Sequence, residues 1–264
     1  MGASLGMGMS HDQAAGLRQI FAQPCPQMVA FTSAANHPQR TLLLTEAAIA
    51  LASQRHRVLL IDENPSPKNA ATRLLGVGIA PPDLLKVMRA EIKLESALAS
   101  VGDLPLDVLL AARFAQAEMP VSRRLTQVMH AFEANYDYVL VDCAHHHSTQ
   151  LSALANLTHH ITITLEVEGR GIMQAYAHIK RVAQSCRRTQ MQVLVTSTCN
   201  RDAARVAFNN LRQVAQEHLG VQLHYLGLAA PGNGEVLAVA LDTALPRRLR
   251  ETDSQSLGSY SPGA

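Results

Sequence analysis

Seven short apolar runs, each separated from the next by a longer stretch with helical spacing or by a turn, constrain this chain more than anything else in it. They are QMVAFT (Gln27 to Thr32), RVLLID (Arg57 to Asp62), LDVLLA (Leu106 to Ala111), YVLVD (Tyr138 to Asp142), HITITLE (His160 to Glu166), QVLVTS (Gln192 to Ser197) and QLHYLGL (Gln222 to Leu228). Most are nearly continuous in apolar character, as strands covered on both faces must be. Helical patterns lie between them at Thr41 to Gln54, Pro82 to Ser100 with internal breaks, Ser122 to Asn135, Gly171 to Cys186 and Ala203 to His218. Strands alternating with helices build a mainly parallel sheet through right-handed crossovers. The expected fold is therefore α/β, a three-layer α/β/α sandwich. At 264 residues with 47% hydrophobic content the chain suffices for one large domain and is short for two.

That domain is expected over 27–250. Ahead of it are expected a disordered N-terminus (1–9), a helical segment at 10–22 and a linker at 23–26 stiffened by Pro24 and Pro26. The Ser- and Gly-rich end, 251–264, lacks the apolar content to fold and is expected to be disordered. No apolar run approaches the roughly 18 residues that span a bilayer, so no integral membrane segment is expected. The start MGASLGMGMS has neither a basic n-region nor an apolar h-region, and Gly6 stands where myristoylation needs Ser or Thr. A cytoplasmic location is the expectation. The cysteines (Cys25, Cys143, Cys186, Cys199) show no CxxC pair and no ligand spacing, which points to reduced thiols rather than disulfides or zinc. A formal charge of +2 and the absence of tryptophan argue against nucleic acid as a partner.

Ligands of an open parallel sheet gather at the carboxyl ends of its strands. The first strand leads through Thr32 and Ser33 into AANHPQR and then Thr41; the second ends in Asp62 and Asn64; VLVDCAHHH is an apolar run closed by Asp142, the form of a segment whose carboxylate organises magnesium. Asn200 follows the sixth strand, where it can face a base edge or simply serve a turn, the commoner role of a lone Asn. If magnesium binds, Thr41 and Asp142 are its ligands. The triplet His145, His146 and His147 is a poor metal site, because adjacent side chains point in different directions.

Taken in order, these segments resemble the MinD/ParA group of deviant-Walker ATPases, P-loop NTPases of the SIMIBI class. The resemblance implies a KGGxGK[ST] loop after the first strand. Here Ala35 stands in place of the signature lysine, Asn36, His37 and Gln39 in place of glycines, Arg40 in place of the loop lysine and Thr41 as the magnesium hydroxyl. Asp62 and Asp142 match. Asn64 replaces the aspartate that polarises the attacking water, and Cys143-Ala144 replaces a threonine-proline pair. A phosphate cradle needs successive backbone N–H groups turned inward, which glycine permits; other side chains in left-handed geometry cost about 1 to 2 kcal/mol each, and Pro38 has no N–H. Since about 1.4 kcal/mol is tenfold in affinity, ATP and magnesium are expected to bind weakly or not at all. A neutral Asn64 accepts no proton, so turnover is expected to be poor. The rival expectation is a working ATPase with an altered loop, cycling between monomer and membrane-bound dimer.

The amino-terminal SHDQAAGLRQIFA begins with Ser10 and Gln13 at capping-box spacing. Ala14, Leu17 and Phe21 then share one face. Gly16 in the middle costs about 1 kcal/mol relative to alanine, which makes sense if something approaches the backbone there. An isolated helix this short is marginal in water and should fold on a partner. DQAxGLR ahead of such a domain is similar to the FlhG/FleN family of flagellar number regulators, whose amino-terminal helix docks on the SRP-type GTPase FlhF and stimulates GTP hydrolysis. The resemblance implies that Gln13 reaches the partner's catalytic chamber, Asp12 and Arg18 fix the docking, and Leu17 and Phe21 anchor it, with Ala14 and Gly16 at the contact. Flagellar basal-body proteins or transcriptional regulators are further partners it suggests. Loss of the signature lysine and of an evident carboxyl-terminal amphipathic helix implies a monomer.

Overall fold

A computed structural model describes residues 26–34, 38–144, 151–167, 170–196 and 200–245. Eight strands form its sheet: β1 (Gln27–Thr32), β2 (Val58–Asp62), β3 (Leu98–Ser100), β4 (Leu106–Leu110), β5 (Tyr138–Asp142), β6 (His160–Leu165), β7 (Gln190–Val195) and β8 (Gln222–Leu228). Their spatial order is β3-β4-β2-β5-β1-β6-β7-β8. All neighbours pair in parallel except β3, which runs antiparallel to β4 at the edge. The helices are α1 (Pro38–Ser53), α2 (Ala70–Leu75), α3 (Leu84–Met88), α4 (Ala112–Gln116), α5 (Arg123–Asn135), α6 (Ala153–Leu157), α7 (Gly171–Cys186), α8 (Arg201–Leu219) and α9 (Gly234–Ala244). The α/β class read from the sequence is the class observed.

Period-two alternation along each strand splits the core between the two faces of the sheet. Val58 and Leu60 of β2, with Leu140 of β5, pack with Leu43, Leu44, Ala47 and Leu51 of α1. Their neighbours Leu59 and Ile61 face Leu84, Val87, Phe114 and Phe132 on the other side. Burying both faces explains why VLLID carries no polar residue before its last. Helix α9 lies beside α1, and the approach is close: a Cβ on Gly234 would sit 2.2 Å from the Glu46 Cβ. Only glycine fits at that crossing. The Glu46 carboxylate accepts the Gly232 N–H at 2.8 Å just before it.

The differences from the sequence reading are local. Pro82 to Ser100 reads as one broken helix but holds α3, a 3-10 turn (Leu94–Ser96) and the edge strand β3. The Lys-Leu-Glu-Ser spacing imitates a helix, while pairing with β4 decides for a strand at Leu98–Ser100. Helix α9 does not appear among the sequence-read helices. Its sequence GEVLAVALDTA is apolar nearly all round and so shows little helical period. The short helices α2, α4 and α6, of five or six residues each, are below the length at which periodicity speaks.

Candidate functional site

The sheet reverses its order around β1, which lies between β5 and β6, and the carboxyl ends of β1, β2 and β5 converge there. In the parallel register Phe31, Asp142 and Asp62 lie abreast, so the two aspartates are on neighbouring strands and on the face covered by α1. Helix α1 begins at Pro38, where a missing N–H costs nothing because the first turn has no intrahelical acceptor. Arg40 and Thr41 therefore sit in its first turn, directly over the two carboxylates.

Four hydrogen bonds close this corner. The Arg40 guanidinium donates from Nε to Asp142 Oδ1 at 2.7 Å, from Nη1 to Ser33 Oγ at 2.7 Å and from Nη2 to the Cys143 carbonyl at 2.5 Å. Thr41 Oγ1 donates to Asp142 Oδ2 at 2.5 Å. Arg40 is 2% exposed and Thr41, Asp62 and Asp142 are fully buried. Asn64 donates from Nδ2 to Thr41 Oγ1 at 3.1 Å, and its own oxygen accepts the Ser66 N–H. Asp62 accepts the N–H groups of Asn64 and Ala71 at 3.0 and 2.9 Å. Burial, and then the charge of Asp142, push the Asp62 carboxyl up from 3.8 to about 7.

Glu63 is a participant the sequence reading passed over. It follows Asp62, so alternation turns it to the opposite face, where it is fully buried beside Cys143, Leu154 and Ala155. Its carboxyl takes the Ser152 hydroxyl on one oxygen and the Ala144 N–H, at 3.4 Å, on the other. Ser152 in turn caps α6 by accepting the Ala155 N–H at 3.0 Å. Burial raises Glu63 to about 7 against the lowering effect of the Ser152 bond. Burial also drives the Cys143 thiol well above its usual range, with the Glu63 charge adding to it. An acidic pair closing an apolar strand was the available signal for Glu63; nothing in the sequence pointed to Ser152.

Magnesium would draw on the Thr41 hydroxyl and the Asp142 carboxylate, the oxygen donors its octahedral shell prefers. Both Asp142 oxygens are engaged here, one of them by a guanidinium, and a dication brought to Asp142 must first displace that cation. As it stands the arrangement does not fit the ion. Asn64 likewise has its amide committed within the protein rather than turned toward a water.

Asn200 lies away from these contacts as the N-cap of α8, its side chain accepting the Ala203 N–H at 2.8 Å. His159 reaches Glu133 at 3.5 Å. Of the basic pairs, Arg124 donates to the Val87 carbonyl and Arg188 to the carbonyls of Asn156 and Thr158. Asp12, Gln13, Ala14, Gly16, Leu17, Arg18 and Phe21, the positions Ala35, Asn36 and His37, the triplet His145, His146 and His147, and the tail 251–264 lie outside the described residues. Among the described residues no cluster of three or more His, Cys, Asp or Glu is placed to hold a metal, and no helix is long and apolar enough to cross a membrane.

No protein-family model matches the sequence, and no curated protein matches it. Solved structures do match in fold. The MinD cell division protein of Aquifex aeolicus superposes with a TM-score of 0.59 at 19% identity, over 83% of this chain and 91% of that one. The cell division ATPase MinD of Pyrococcus furiosus gives 0.59 at 15% identity, over 81% and 96%. A putative plasmid partition protein of Borrelia burgdorferi, bound to AMPPNP, gives 0.56 at 14% identity, over 84% and 100%. With its strand order, its reversal beside β1 and its aspartates abreast at the ends of β2 and β5, this chain has the α/β fold of the MinD/ParA P-loop ATPases.

Proposed function

We propose that this chain is a MinD/ParA-fold regulator of flagellar biogenesis in the cytoplasm, related to FlhG/FleN, that stimulates a FlhF-type SRP GTPase through its DQAAGLR segment. The domain behind that segment acts as a monomeric scaffold for protein contacts and not as an ATP-driven switch. The observation that carries the scaffold reading is Arg40. Where the phosphate loop of this fold offers a cation to a nucleotide, the guanidinium is buried and spends donors on Asp142, Ser33 and Cys143. A planar fork held by three acceptors is a structural element, unlike a mobile ammonium. The partner reading rests on the residues Asp12 to Arg18 preceding a domain of this fold, with Gln13 as the amide that orients a water in the partner's site. Further flagellar or transcriptional regulators are partners the scaffold would serve.

Adding the full chain to a FlhF-type GTPase tests the partner half. GTP turnover should rise, and Gln13→Ala should cut the stimulation about tenfold or more, as loss of a water-orienting group does. Unchanged turnover with the wild-type chain overturns it. Calorimetric titration with magnesium-ATP tests the scaffold half, with no saturable heat expected at micromolar nucleotide. Micromolar binding accompanied by dimer formation would instead establish the rival, a MinD-type ATPase with an altered loop that cycles on and off a membrane.

A further inference from the structure

Between α2 and α3 the chain runs Leu75-Gly76-Val77-Gly78-Ile79-Ala80-Pro81-Pro82 over the carboxyl edge of β4, where Asp83 bridges to Leu110. Val77 is 92% exposed and Ile79 57%. Gly76 and Gly78 have φ of 98° and 90°, a region side chains avoid, and a Cβ built on either would meet nothing within 4 Å. The tip therefore stands clear of the body. Pro81 and Pro82 hold the returning arm extended. Other exposed aliphatic side chains, Val206 and Val239 among them, lie on helix faces; Val77 is barer than any of them and shares a projecting turn with Ile79.

The charge around this tip has one dominant sign. Lys68 precedes α2, Arg73 lies on it, Lys86 lies on α3, and all are exposed. The Asp83 carboxylate accepts the Arg113 N–H at 2.9 Å, and Arg124 Nε donates to the Val87 carbonyl at 2.7 Å, so the starts of α4 and α5 are fastened to α3 and bring Arg113 and Arg123 to the same end. None of Lys68, Arg73, Lys86, Arg113 or Arg123 is in an ion pair with a described residue. Asp83 is 9% exposed and consumed as the cap of α3; the exposed acids nearby are Glu91, which faces Arg89 at 4.0 Å, and Glu118.

We propose that this end of the molecule is a peripheral membrane contact, in which Val77 and Ile79 enter the interface of a bilayer while the surrounding cations meet anionic lipid headgroups. The shape selects lipid over other polyanions. A projecting aliphatic tip finds no complement on a nucleic acid backbone, where only the charges would count. An acidic peptide needs a groove, and the glycine surroundings show an open protrusion. A soft apolar interface under a layer of negative charge complements both features.

Flotation of the full chain with vesicles of phosphatidylglycerol and phosphatidylcholine, and with phosphatidylcholine alone, tests this. The wild-type chain should float with the anionic vesicles and remain behind with the neutral ones. Val77→Asp combined with Ile79→Asp should lower the bound fraction about tenfold or more, and Arg73→Glu combined with Lys86→Glu should do the same. Both pairs are exposed, so circular dichroism and the urea midpoint should be unchanged. Wild-type chain that stays behind with anionic vesicles overturns the proposal, as does a tip variant that floats like wild type. Salt-sensitive binding to duplex DNA that the charge variant loses and the tip variant keeps would also overturn it, in favour of a nucleic acid surface.

Discussion

Two buried polar regions on the same face of one sheet are treated in opposite ways. At the carboxyl ends of β1, β2 and β5, Arg40, Thr41, Asp62, Asn64 and Asp142 are dry, yet each finds hydrogen-bond partners within the corner. On β6 and β7, Thr162 and Gln192 stand side by side in register, and Thr162 Oγ1 and Gln192 Oε1 have none among the described residues. The first region is a closed network, and the second leaves two buried oxygens without a partner among the described residues. Through Arg40 and Thr41 that network ties the start of α1 to the end of β5. It also opposes any ligand that must take Asp142 from Arg40.

The sharpest way to break that contrast is to remove one partner of the buried pair. Asp142→Ala leaves a guanidinium dry and unpaired, and stability in urea should fall by about 3 to 5 kcal/mol. Arg40→Met together with Asp142→Asn removes the charge on both sides and should cost clearly less than the sum of the two single changes. If Asp142→Ala shifts the urea midpoint hardly at all, Arg40 has another acceptor to turn to and the network is not what holds the corner.

Titration probes the same corner more gently. Asp62 and Glu63 are each pushed up to about 7 by burial, so the folded chain holds both protons more tightly than the unfolded chain does. Their contribution is complete below the ordinary carboxylate range, near pH 4, and is lost as pH rises through about 7. The urea midpoint should therefore decline from pH 5 to pH 8. Asp137 acts in another window. Burial opposes its ionisation, but the Arg57 bonds prevail and hold it below its ordinary value, so its contribution is lost only in acid. Glu63→Gln keeps an acceptor for Ser152 and carries no proton to lose, so it should flatten the decline and exceed wild type in stability at pH 8. A decline of the same steepness in that variant would remove Glu63 from the account.

The contrast also marks what a sequence reveals. Continuous apolar runs such as YVLVD gave the central strands because burial on both faces leaves no room for polar residues. Asp62, Asn64, Asp142, Arg40 and Thr41 were legible as strand-end and helix-start positions, and the structure brings all five together. What was not legible is the direction of the Arg40 side chain. A cation in a loop reads the same whether it faces a ligand or an aspartate 102 residues further along. Glu63 was hidden for a related reason: its partner Ser152 lies 89 residues away, and no periodicity reports a contact of that kind. The polar floor at Thr162 and Gln192 was equally silent, since HITITL and QMQVLV alternate as half-buried strands do and give no sign that the polar side is dry.

That floor offers the smallest effect and the cleanest sign. Thr162 is fully buried, and its hydroxyl finds no partner among the described residues. A buried hydroxyl in that condition costs on the order of 1 to 3 kcal/mol, and valine has nearly the same shape without the polar atom. Thr162→Val should leave stability unchanged or raise it by about 1 kcal/mol. The same exchange at Thr41, whose hydroxyl donates to Asp142 and accepts from Asn64, should lower stability by about 1 to 2 kcal/mol because it strips two partners at once. One substitution at two threonines of one sheet sandwich then gives opposite signs. If both lower stability alike, the fit of the methyl that replaces the hydroxyl governs the result, and the difference between a closed network and an orphaned group has no thermodynamic weight in this molecule.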